Sequence, residues 1–255
     1  MARSELLETA IDAARAGEHV IRHYYLDDVA VKLKSDRTPV TVADVETEEA
    51  IRAVLRERFP EHGFYGEETG RDGGESDYLW LIDPIDGTKS FVREYPFFST
   101  QIALMHRGEL VLGVSNAPLF SELAWAERGR GAWLNDAPVH VSAIDRLDEA
   151  TLSLGNVRSA AGSELWSRIG ALVRVLNRTR GYGDFYHYHL LAAGKLEIVL
   201  ESDLNILDIA ALTVIVREAG GIVTDLEGRD VDLETTSILA TNAAIRDGVL
   251  ELLRG

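Results

Sequence analysis

The chain has 255 residues, 46% of them hydrophobic and 27% charged, which is typical of a globular protein with a sizeable core. Its formal net charge of −16 argues against non-specific binding to nucleic acid, and no apolar run is long enough to span a membrane. The absence of cysteines excludes disulfides and thiolate metal sites. The charged N-terminus is unlike a signal peptide, so we expect a cytoplasmic protein without nucleic-acid or membrane partners.

The N-terminal part of the chain predicts two amphipathic helices. Apolar residues recur at helical spacing from Ser4 to Tyr25 and again from Asp44 to Phe59. Between the two helices, residues 26–36 show the alternation typical of a strand. Asp44 begins the second helix, where an aspartate can act as a cap or as a partner of the helix dipole.

Two adjacent glutamates follow a short strand. Phe64-Tyr65 is the strand, and Gly66 leads into Glu67-Glu68. Neighbouring carboxylates repel each other, so such a pair usually lies in a solvated turn. The polar segment from Thr69 to Asp77 predicts an exposed loop.

The stretch from Tyr78 to Phe91 carries the clearest functional signal. Tyr78 to Ile82 predicts a buried strand that stops at Asp83-Pro84, because proline has no amide hydrogen for the strand ladder. Asp86-Gly87 favours a turn, and Thr88 can cap a following helix. Carboxylates at the mouth of a strand, followed by free amides, can hold a hard cation and a phosphate. A simple turn would also explain these residues.

The rest of the chain predicts an antiparallel meander followed by mixed helices and strands. Four short strands fall between Ser99 and Leu134, and Asn135 to Pro138 is a turn that suits a boundary between subdomains 1–135 and 136–255. Further strands are predicted at 140–142, 151–154, 195–200, 222–225 and 238–241, and helices at 163–176, 185–193, 206–219 and from 245 onward. This mixture indicates the α+β class.

The candidate metal ligands are carboxylates, not histidines. Asp208 lies in the first turn of an apolar helix, where it could be only a partner of the helix dipole. Of the seven histidines, His187 and His189 are only two apart and are best explained as structural or surface groups. An all-oxygen ligand set favours Mg²⁺ or Mn²⁺ over Zn²⁺.

Three motifs in order resemble one known family. The string Asp-Pro-Ile-Asp-Gly-Thr at 83–88, with Gly-Glu-Glu at 66–68 before it and Asp-x-Ala-Ala at 208–211 after it, resembles the inositol monophosphatase superfamily of Mg²⁺-dependent phosphatases. The resemblance covers the whole chain. It implies a layered α-β-α-β-α fold, a single catalytic domain over 1–255, a homodimer, and hydrolysis of a small phosphate monoester with two or three Mg²⁺ ions, for which Mn²⁺ can substitute.

The resemblance also implies a set of metal ligands. One cation would be bound by Glu67, Asp83 and the carbonyl group of Ile85. A second would be bound by Asp83, Asp86 and Asp208, so that Asp83 bridges the two ions. Glu67 would in addition contact a third, weakly held ion.

The resemblance also implies roles for four residues that act on the phosphate or the water. The amides of Gly87 and Thr88 would bind phosphate oxygens. The Thr88 hydroxyl and the Asp44 carboxylate would orient the attacking water, and Glu67 would contribute to catalysis through its cation.

Smaller features resemble the histidinol-phosphate phosphatase branch. These are Lys89-Ser90-Phe91, the Gly-x-Gly-Asp-x-Tyr segment at 181–186, and Leu207 where inositol enzymes usually carry tryptophan. The branch implies hydrolysis of L-histidinol phosphate in histidine biosynthesis. A cationic substrate would need carboxylates near the phosphate site, and Asp184 and Glu201 are the candidates, although a turn aspartate and a strand-end glutamate would explain them equally well. The alternatives are an inositol-1-monophosphatase, a 3′-phosphoadenosine phosphatase, and a non-catalytic metal-binding protein.

Overall fold

The computed structural model describes residues 3–25, 32–33, 39–40, 42–74 and 76–254. Most of the strand predicted at 26–36 lies outside the described residues. Its described part, Lys32–Leu33 (β1), pairs antiparallel with Pro39–Val40 (β2).

Two N-terminal helices form the first layer of the fold. They are α1 (Glu5–Tyr24) and α2 (Val42–Arg58), as the hydrophobic periodicity predicted. The hydroxyl of Ser4 caps α1 by accepting a hydrogen bond from the Leu7 amide at 3.2 Å. The apolar faces of both helices pack against one face of a large sheet, through a cluster that includes Leu7, Ile11, Ile51, Leu55, Trp80 and Ile82.

The second layer is an eight-stranded sheet in the order β10-β9-β8-β7-β6-β5-β3-β4. Its strands are antiparallel except for the parallel pair of β3 and β5, and the predicted meander is confirmed. The strands are β3 (Gly63–Gly66), β4 (Gly70–Asp72), β5 (Tyr78–Asp86), β6 (Ser99–His106), β7 (Glu109–Ala117), β8 (Glu122–Glu127), β9 (Ala132–Leu134) and β10 (Ala137–Val139), with the short helix α3 (Thr88–Val92) after β5.

The central strand differs from its prediction. β5 does not stop at Asp83-Pro84 but continues to Asp86. Asp83 pairs with Gln101 and Asp86 pairs with Ser99, so three steps along β5 face two steps along β6. This bulge interrupts the ladder locally, which is why a proline without an amide hydrogen fits inside the strand.

Two other predicted segments are also wrong in detail. The segment from Thr69 to Asp77 is not entirely a loop, because β4 pairs with β3. The strand predicted at 140–142 lies three residues earlier in the chain, as β10, where it forms a hairpin with β9. Short, weakly patterned strands of this kind are defined by their partners more than by their own sequence.

A smaller mixed sheet forms the fourth layer. Its order is β12-β11-β13-β15-β14, with parallel pairing among the first three strands and antiparallel pairing among the last three. The strands are β11 (Thr151–Leu154), β12 (Arg178–Arg180), β13 (Ile198–Ser202), β14 (Gly221–Thr224) and β15 (Ser237–Asn242). The helices of this half are α4 (Val157–Ala161), α5 (Trp166–Val175), α6 (Tyr186–Ala192), α7 (Ile206–Glu218) and α8 (Arg246–Arg254), and a 3₁₀ turn spans Leu147–Glu149.

Helix α7 lies between the two sheets. It is apolar on all sides and buried along most of its length, as expected for a helix with a sheet on each face. Helices α5 and α8 cover the outer face of the smaller sheet. The layers therefore alternate α-β-α-β-α, which confirms the predicted fold class. None of the helices in the described ranges is both long and apolar enough to cross a bilayer.

The division of the chain at residue 135 stays a proposal. Strand β10 belongs to the eight-stranded sheet, so a boundary after Val139 fits the strand pairing better. The two parts share a core, because α7 from the C-terminal part packs on β6 and β7.

A glycine in β7 allows close contact with α7. A Cβ atom at Gly113 would lie 2.3 Å from the carbonyl oxygen of Ala211. We predict that Gly113→Ala lowers the free energy of unfolding in urea by about 1–3 kcal/mol, because the helix and sheet must separate. Gly170→Ala in α5 is the control, since its Cβ would meet no atom within 4 Å, and it should stabilise by up to about 1 kcal/mol. Equal stability of the two variants would contradict this packing.

Candidate active site

Three carboxylates converge where β5 meets α7. One oxygen from each of Asp83, Asp86 and Asp208 lies within 4.8 Å of the others. Residues three apart in a regular strand point to opposite faces, so Asp83 and Asp86 would diverge in an ideal strand. The bulge in β5 changes the register between them and allows both to face Asp208.

Asp208 is held by a capping box at the start of α7. Its Oδ2 accepts a hydrogen bond from the Asn205 amide at 2.8 Å, and Asn205 Oδ1 accepts one from the Leu207 amide at 3.1 Å. The residue is therefore both a helix-terminal carboxylate and a member of the cluster. The cap fixes the position of the carboxylate relative to β5.

The cluster is electrostatically unfavourable without cations. Burial raises the pKa of Asp83 well above its usual range, and the carboxylates of Glu67, Asp86 and Asp208 raise it further. Burial also raises the pKa of Asp208 to about 6, and burial together with Asp184 raises the pKa of Asp86. Divalent cations would relieve this repulsion, and the all-oxygen ligand set fits Mg²⁺ or Mn²⁺.

Glu67 lies near the cluster, in the turn after β3. Its amide donates a hydrogen bond to the Ile82 carbonyl at 3.1 Å, which holds the turn against the end of β5. Its carboxylate is near enough to raise the pKa of both Asp83 and Asp208. A fully solvated turn, the other explanation for the glutamate pair, does not fit this position.

Thr88 and Asp44 meet beside the cluster. Asp44, in the first turn of α2, is completely buried. The Thr88 hydroxyl lies 3.2 Å from Asp44 Oδ1 and 3.1 Å from the Ile85 carbonyl oxygen. The Ile85 amide in turn donates to Asp83 Oδ1 at 3.0 Å. A hydroxyl has one hydrogen, so Thr88 donates to one of its two acceptors at a time.

Gly87 joins β5 to α3 in a conformation that other residues rarely adopt. Its φ is +91°, and a Cβ atom would lie 2.6 Å from the Phe97 carbonyl oxygen. The tight approach brings the first turn of α3 next to Asp86.

Asp184 and Glu201 line a cleft that continues from the cluster. Burial and the Glu201 charge raise the pKa of Asp184 to about 6, while His187 and Lys89 act to lower it. Asp184 and Glu201 therefore form an acidic end of the cleft, next to Asp86 and Asp208. Its lining comprises Asp86, Asn156, Asp184, Tyr188, Glu201, Leu204, Asp208, Ile209 and Leu212.

A buried hydrogen-bond chain fixes Glu201. The Tyr182 amide donates to Ser153 Oγ, and the remaining contacts run from Ser153 Oγ to His187 Nδ1 and from His187 Nε2 to Glu201 Oε2, each at 3.1 Å. With Ser153 donating to Nδ1, the hydrogen of a neutral His187 lies on Nε2 and is donated to Glu201. The Tyr188 hydroxyl also donates to Glu201, at 3.2 Å.

Most of the residues that support the site gave no recognisable signal in the sequence. His187 was expected to be a structural or surface group, and it is structural and completely buried. Ser153, Tyr188 and Asn156 carried no signal in the sequence because their partners are distant along the chain. Gly155 lies directly against the Glu201 carboxylate, since a Cβ atom there would lie 2.0 Å from Glu201 Oε1, but this contact is evident only from the tertiary structure.

Comparison with known proteins identifies the family. The chain matches the inositol monophosphatase family over residues 2–254. It is 37% identical to a histidinol-phosphatase of Mycobacterium tuberculosis, covering 99% of both chains. It is 33% identical to an inositol-1-monophosphatase of Mesorhizobium japonicum, covering 100% of this chain and 98% of that protein. The crystal structure of the extragenic suppressor protein suhB from Bartonella henselae has a TM-score of 0.90 at 33% identity, covering 98% of this chain and 99% of the other.

The fold and these relatives define a phosphomonoesterase of a metal-dependent class. The chain belongs to the inositol monophosphatase family, as its three motifs predicted.

The raised carboxylate pKa values predict an unusual pH dependence of stability. The ordinary pKa of Asp208 is 3.8 and its folded value is about 6, so the folded state holds protons that the unfolded state releases in this window. Stability should therefore fall as pH rises. We expect the melting temperature in EDTA to be lower at about pH 7.5 than at about pH 5.

The matched variant is Asp208→Asn, which cannot ionise and should show a smaller decrease over the same range. Melting temperatures that stay constant or rise with pH in the metal-free protein would contradict the electrostatic description of the cluster.

Proposed function

We propose that this phosphomonoesterase is a Mg²⁺-dependent histidinol-phosphate phosphatase, which converts L-histidinol phosphate and water to L-histidinol and phosphate in histidine biosynthesis. The observation that carries the substrate assignment is the pair Asp184 and Glu201, which lines one cleft together with Asp86 and Asp208. A phosphate and a positively charged amine could therefore bind at opposite ends of the cleft. The name of the 37% identical mycobacterial relative supports the same assignment.

The carboxylates would hold the cations. Glu67, Asp83 and the Ile85 carbonyl would hold one, and Asp83 would share a second with Asp86 and Asp208. Mg²⁺ bound here would supply an activated water, and it would neutralise charge on the phosphate and the leaving alkoxide. Mn²⁺ would also fit these ligands, and Glu67 is the ligand nearest to a third ion in this proposal.

The chain's own residues would orient the phosphate and the water. Gly87 and Thr88 stand at the start of α3, where amide groups lack partners within the helix, so they would donate to phosphate oxygens. When the Thr88 hydroxyl donates to Asp44, its lone pairs can accept a hydrogen from the attacking water. Burial of Asp44 protects this contact from competing solvent.

Substrate choice would depend on the acidic end of the cleft. The cations and amides treat every phosphate monoester alike, so selectivity must come from groups that contact the rest of the substrate. Glu201 is held as an acceptor by His187 and Tyr188, which prepares it to face a cation. The same carboxylates would repel the second phosphate of a 3′-phosphoadenosine substrate.

Inositol 1-phosphate remains the second candidate, because its hydroxyl groups can donate hydrogen bonds to carboxylates. The name of the 33% identical Mesorhizobium relative favours this alternative. The proposal also includes a cytoplasmic location and a homodimer, and light scattering of the purified protein would test the dimer.

A phosphate-release assay tests the proposed reaction. With Mg²⁺, we expect kcat/KM to be highest for histidinol phosphate, lower for inositol 1-phosphate and lowest for 3′-phosphoadenosine 5′-phosphate. Excess EDTA should abolish release from all three, because the uncompensated carboxylates would repel the substrate. A preference for inositol 1-phosphate would overturn the substrate assignment, and full turnover in EDTA would overturn the metal assignment. No release from any substrate would favour a non-catalytic metal-binding protein.

Asp184→Asn tests the acidic end of the cleft. Asp184 has φ +45°, a left-handed conformation that asparagine tolerates well, so this change removes charge with little backbone strain. Loss of a desolvated charge pair costs about 2–5 kcal/mol, so kcat/KM for histidinol phosphate should fall roughly 30-fold or more. Hydrolysis of glycerol phosphate, which has no cation, should change much less.

The matched control is Asp136→Asn. Asp136 is also left-handed, with φ +63°, but it lies exposed in the hairpin between β9 and β10, four strands away from β5. This control should leave both substrates unaffected. An equal loss on histidinol phosphate and glycerol phosphate in Asp184→Asn would mean that Asp184 supports the metal cluster and not substrate choice.

A further inference from the structure

Helix α2 carries three buried charged residues on one face. Asp44, Glu48 and Arg52 are spaced four residues apart, so they follow one another along the helix surface. Their exposed fractions are 0%, 0% and 7%. Asp44 contacts Thr88, as described above. The other two residues contact the segment that contains Glu67, although neither of them is a proposed cation ligand.

Glu48 binds the turn around Glu67 directly. Its Oε2 accepts a hydrogen bond from the Glu68 amide at 2.7 Å, and its Oε1 accepts one from the Thr69 hydroxyl. These contacts join residues about twenty positions apart in the chain. Both carboxylate oxygens of Glu48 are thus engaged by the two residues that immediately follow Glu67.

The residue before Glu67 is shaped around the same carboxylate. A Cβ atom at Gly66 would lie 2.0 Å from Glu48 Oε1 and 2.3 Å from its Cδ. No side chain larger than a hydrogen fits there without moving Glu48. The Glu48 carboxylate therefore lies directly against the backbone of Gly66, which precedes Glu67, and it accepts hydrogen bonds from Glu68 and Thr69, which follow Glu67.

Arg52 holds Glu48 in place and ties α2 to β4. Its Nε lies 2.9 Å from Glu48 Oε1, at ion-pair distance, and its two terminal nitrogens contact Asp72 Oδ2 at 2.8 Å and the Gly70 carbonyl at 2.9 Å. A buried ion pair is in general a weak source of net stability, because both charges must be desolvated. The geometry indicates a different contribution, namely a fixed position for the turn between β3 and β4.

We infer that Glu48 is a positioning residue for the metal centre, whose carboxylate fixes the Gly66–Thr69 turn so that Glu67 faces Asp83 and Asp208. Groups that orient a metal ligand commonly change metal affinity about 10–100-fold when they are altered. The inference rests on the proposed function in one respect, because it takes Glu67 as a cation ligand.

Glu48→Gln provides the main test. Glutamine keeps one acceptor oxygen but turns an NH₂ group toward a donor in the turn, so the turn loses one of its two attachments. We expect the Mg²⁺ dissociation constant, measured by calorimetry on the full-length protein without substrate, to rise about tenfold or more. The kcat at saturating Mg²⁺ should fall by a smaller factor than the activity at limiting Mg²⁺.

Ile51→Ala is the matched control for general loss of stability. Ile51 is the neighbour of Arg52 in α2 and is completely buried in the apolar core. This variant should lower the melting temperature, because it leaves a cavity, while the Mg²⁺ dissociation constant stays that of the wild type. If the Mg²⁺ dissociation constant rose as much in Ile51→Ala as in Glu48→Gln, the inference would be overturned, because loss of stability alone would then explain the effect.

Thr69→Val keeps the test decisive if Glu48→Gln does not fold. It removes only the hydroxyl that donates to Glu48 and keeps the carboxylate and its ion pair. The Mg²⁺ dissociation constant should rise several-fold, and an unchanged value in either variant would overturn the positioning role. If the wild-type protein itself binds no Mg²⁺, the proposed Mg²⁺-dependent function is overturned. If the wild type binds Mg²⁺ and the variants bind it equally well, only the positioning role of Glu48 is overturned.

Discussion

Mutual repulsion among closely spaced carboxylates is the constraint on which the rest of this structure depends. Asp83, Asp86 and Asp208 are held within 4.8 Å of one another, with Asp83 buried and the other two half-buried, so their like charges interact strongly. Only a stable surrounding fold can keep them together in the absence of cations. The β5 bulge, the capping box on α7 and the turn after β3 each fix one part of the cluster.

The core and the site are consequently parts of one arrangement. Helix α7 is buried between the two sheets, and the same helix carries Asp208 in its first turn. The close approach of Gly113 in β7 to Ala211 in α7 sets the distance between the helix and the sheet. On the outer side, α2 contacts both Thr88 at the start of α3 and the Glu67 turn through residues on one face. Packing on the two faces of the eight-stranded sheet therefore determines where the carboxylates lie.

The proposed substrate specificity follows from an asymmetry between the two ends of the cleft. Cations would neutralise the cluster at one end, whereas the carboxylates of Asp184 and Glu201 would face the positively charged part of the substrate at the other. The Glu201 carboxylate accepts hydrogen bonds from His187 and Tyr188, neither of which carries a positive charge when His187 is neutral. These contacts fix the orientation of the carboxylate without neutralising it. A substrate with an anionic phosphate and a cationic amine matches that pattern better than a substrate with two phosphates.

The sequence by itself determined the family, the fold class and most of the elements. The strand at Thr151–Leu154 was predicted with the correct bounds, and the predicted helix ends of the C-terminal half lie within three residues of the observed ones. Apolar periodicity, glycine and proline are local signals, so they can be read from the chain. The motif residues around Glu67, Asp83 and Asp208 were identifiable from their resemblance to the family's motifs, although their individual roles remain proposals.

Tertiary structure alone decided which of these residues meet. The continuation of β5 through Pro84 depends on its pairing with β6, and β10 depends on its hairpin with β9. The placement of Asp184 and Glu201 beside Asp86, the chain from Ser153 to Glu201, and the contact of Glu48 with the Glu67 turn all join residues distant in the sequence. A side chain's own sequence neighbourhood carries no record of such partners, because burial, hydrogen bonding and charge at these positions are set by the packing of whole layers against one another.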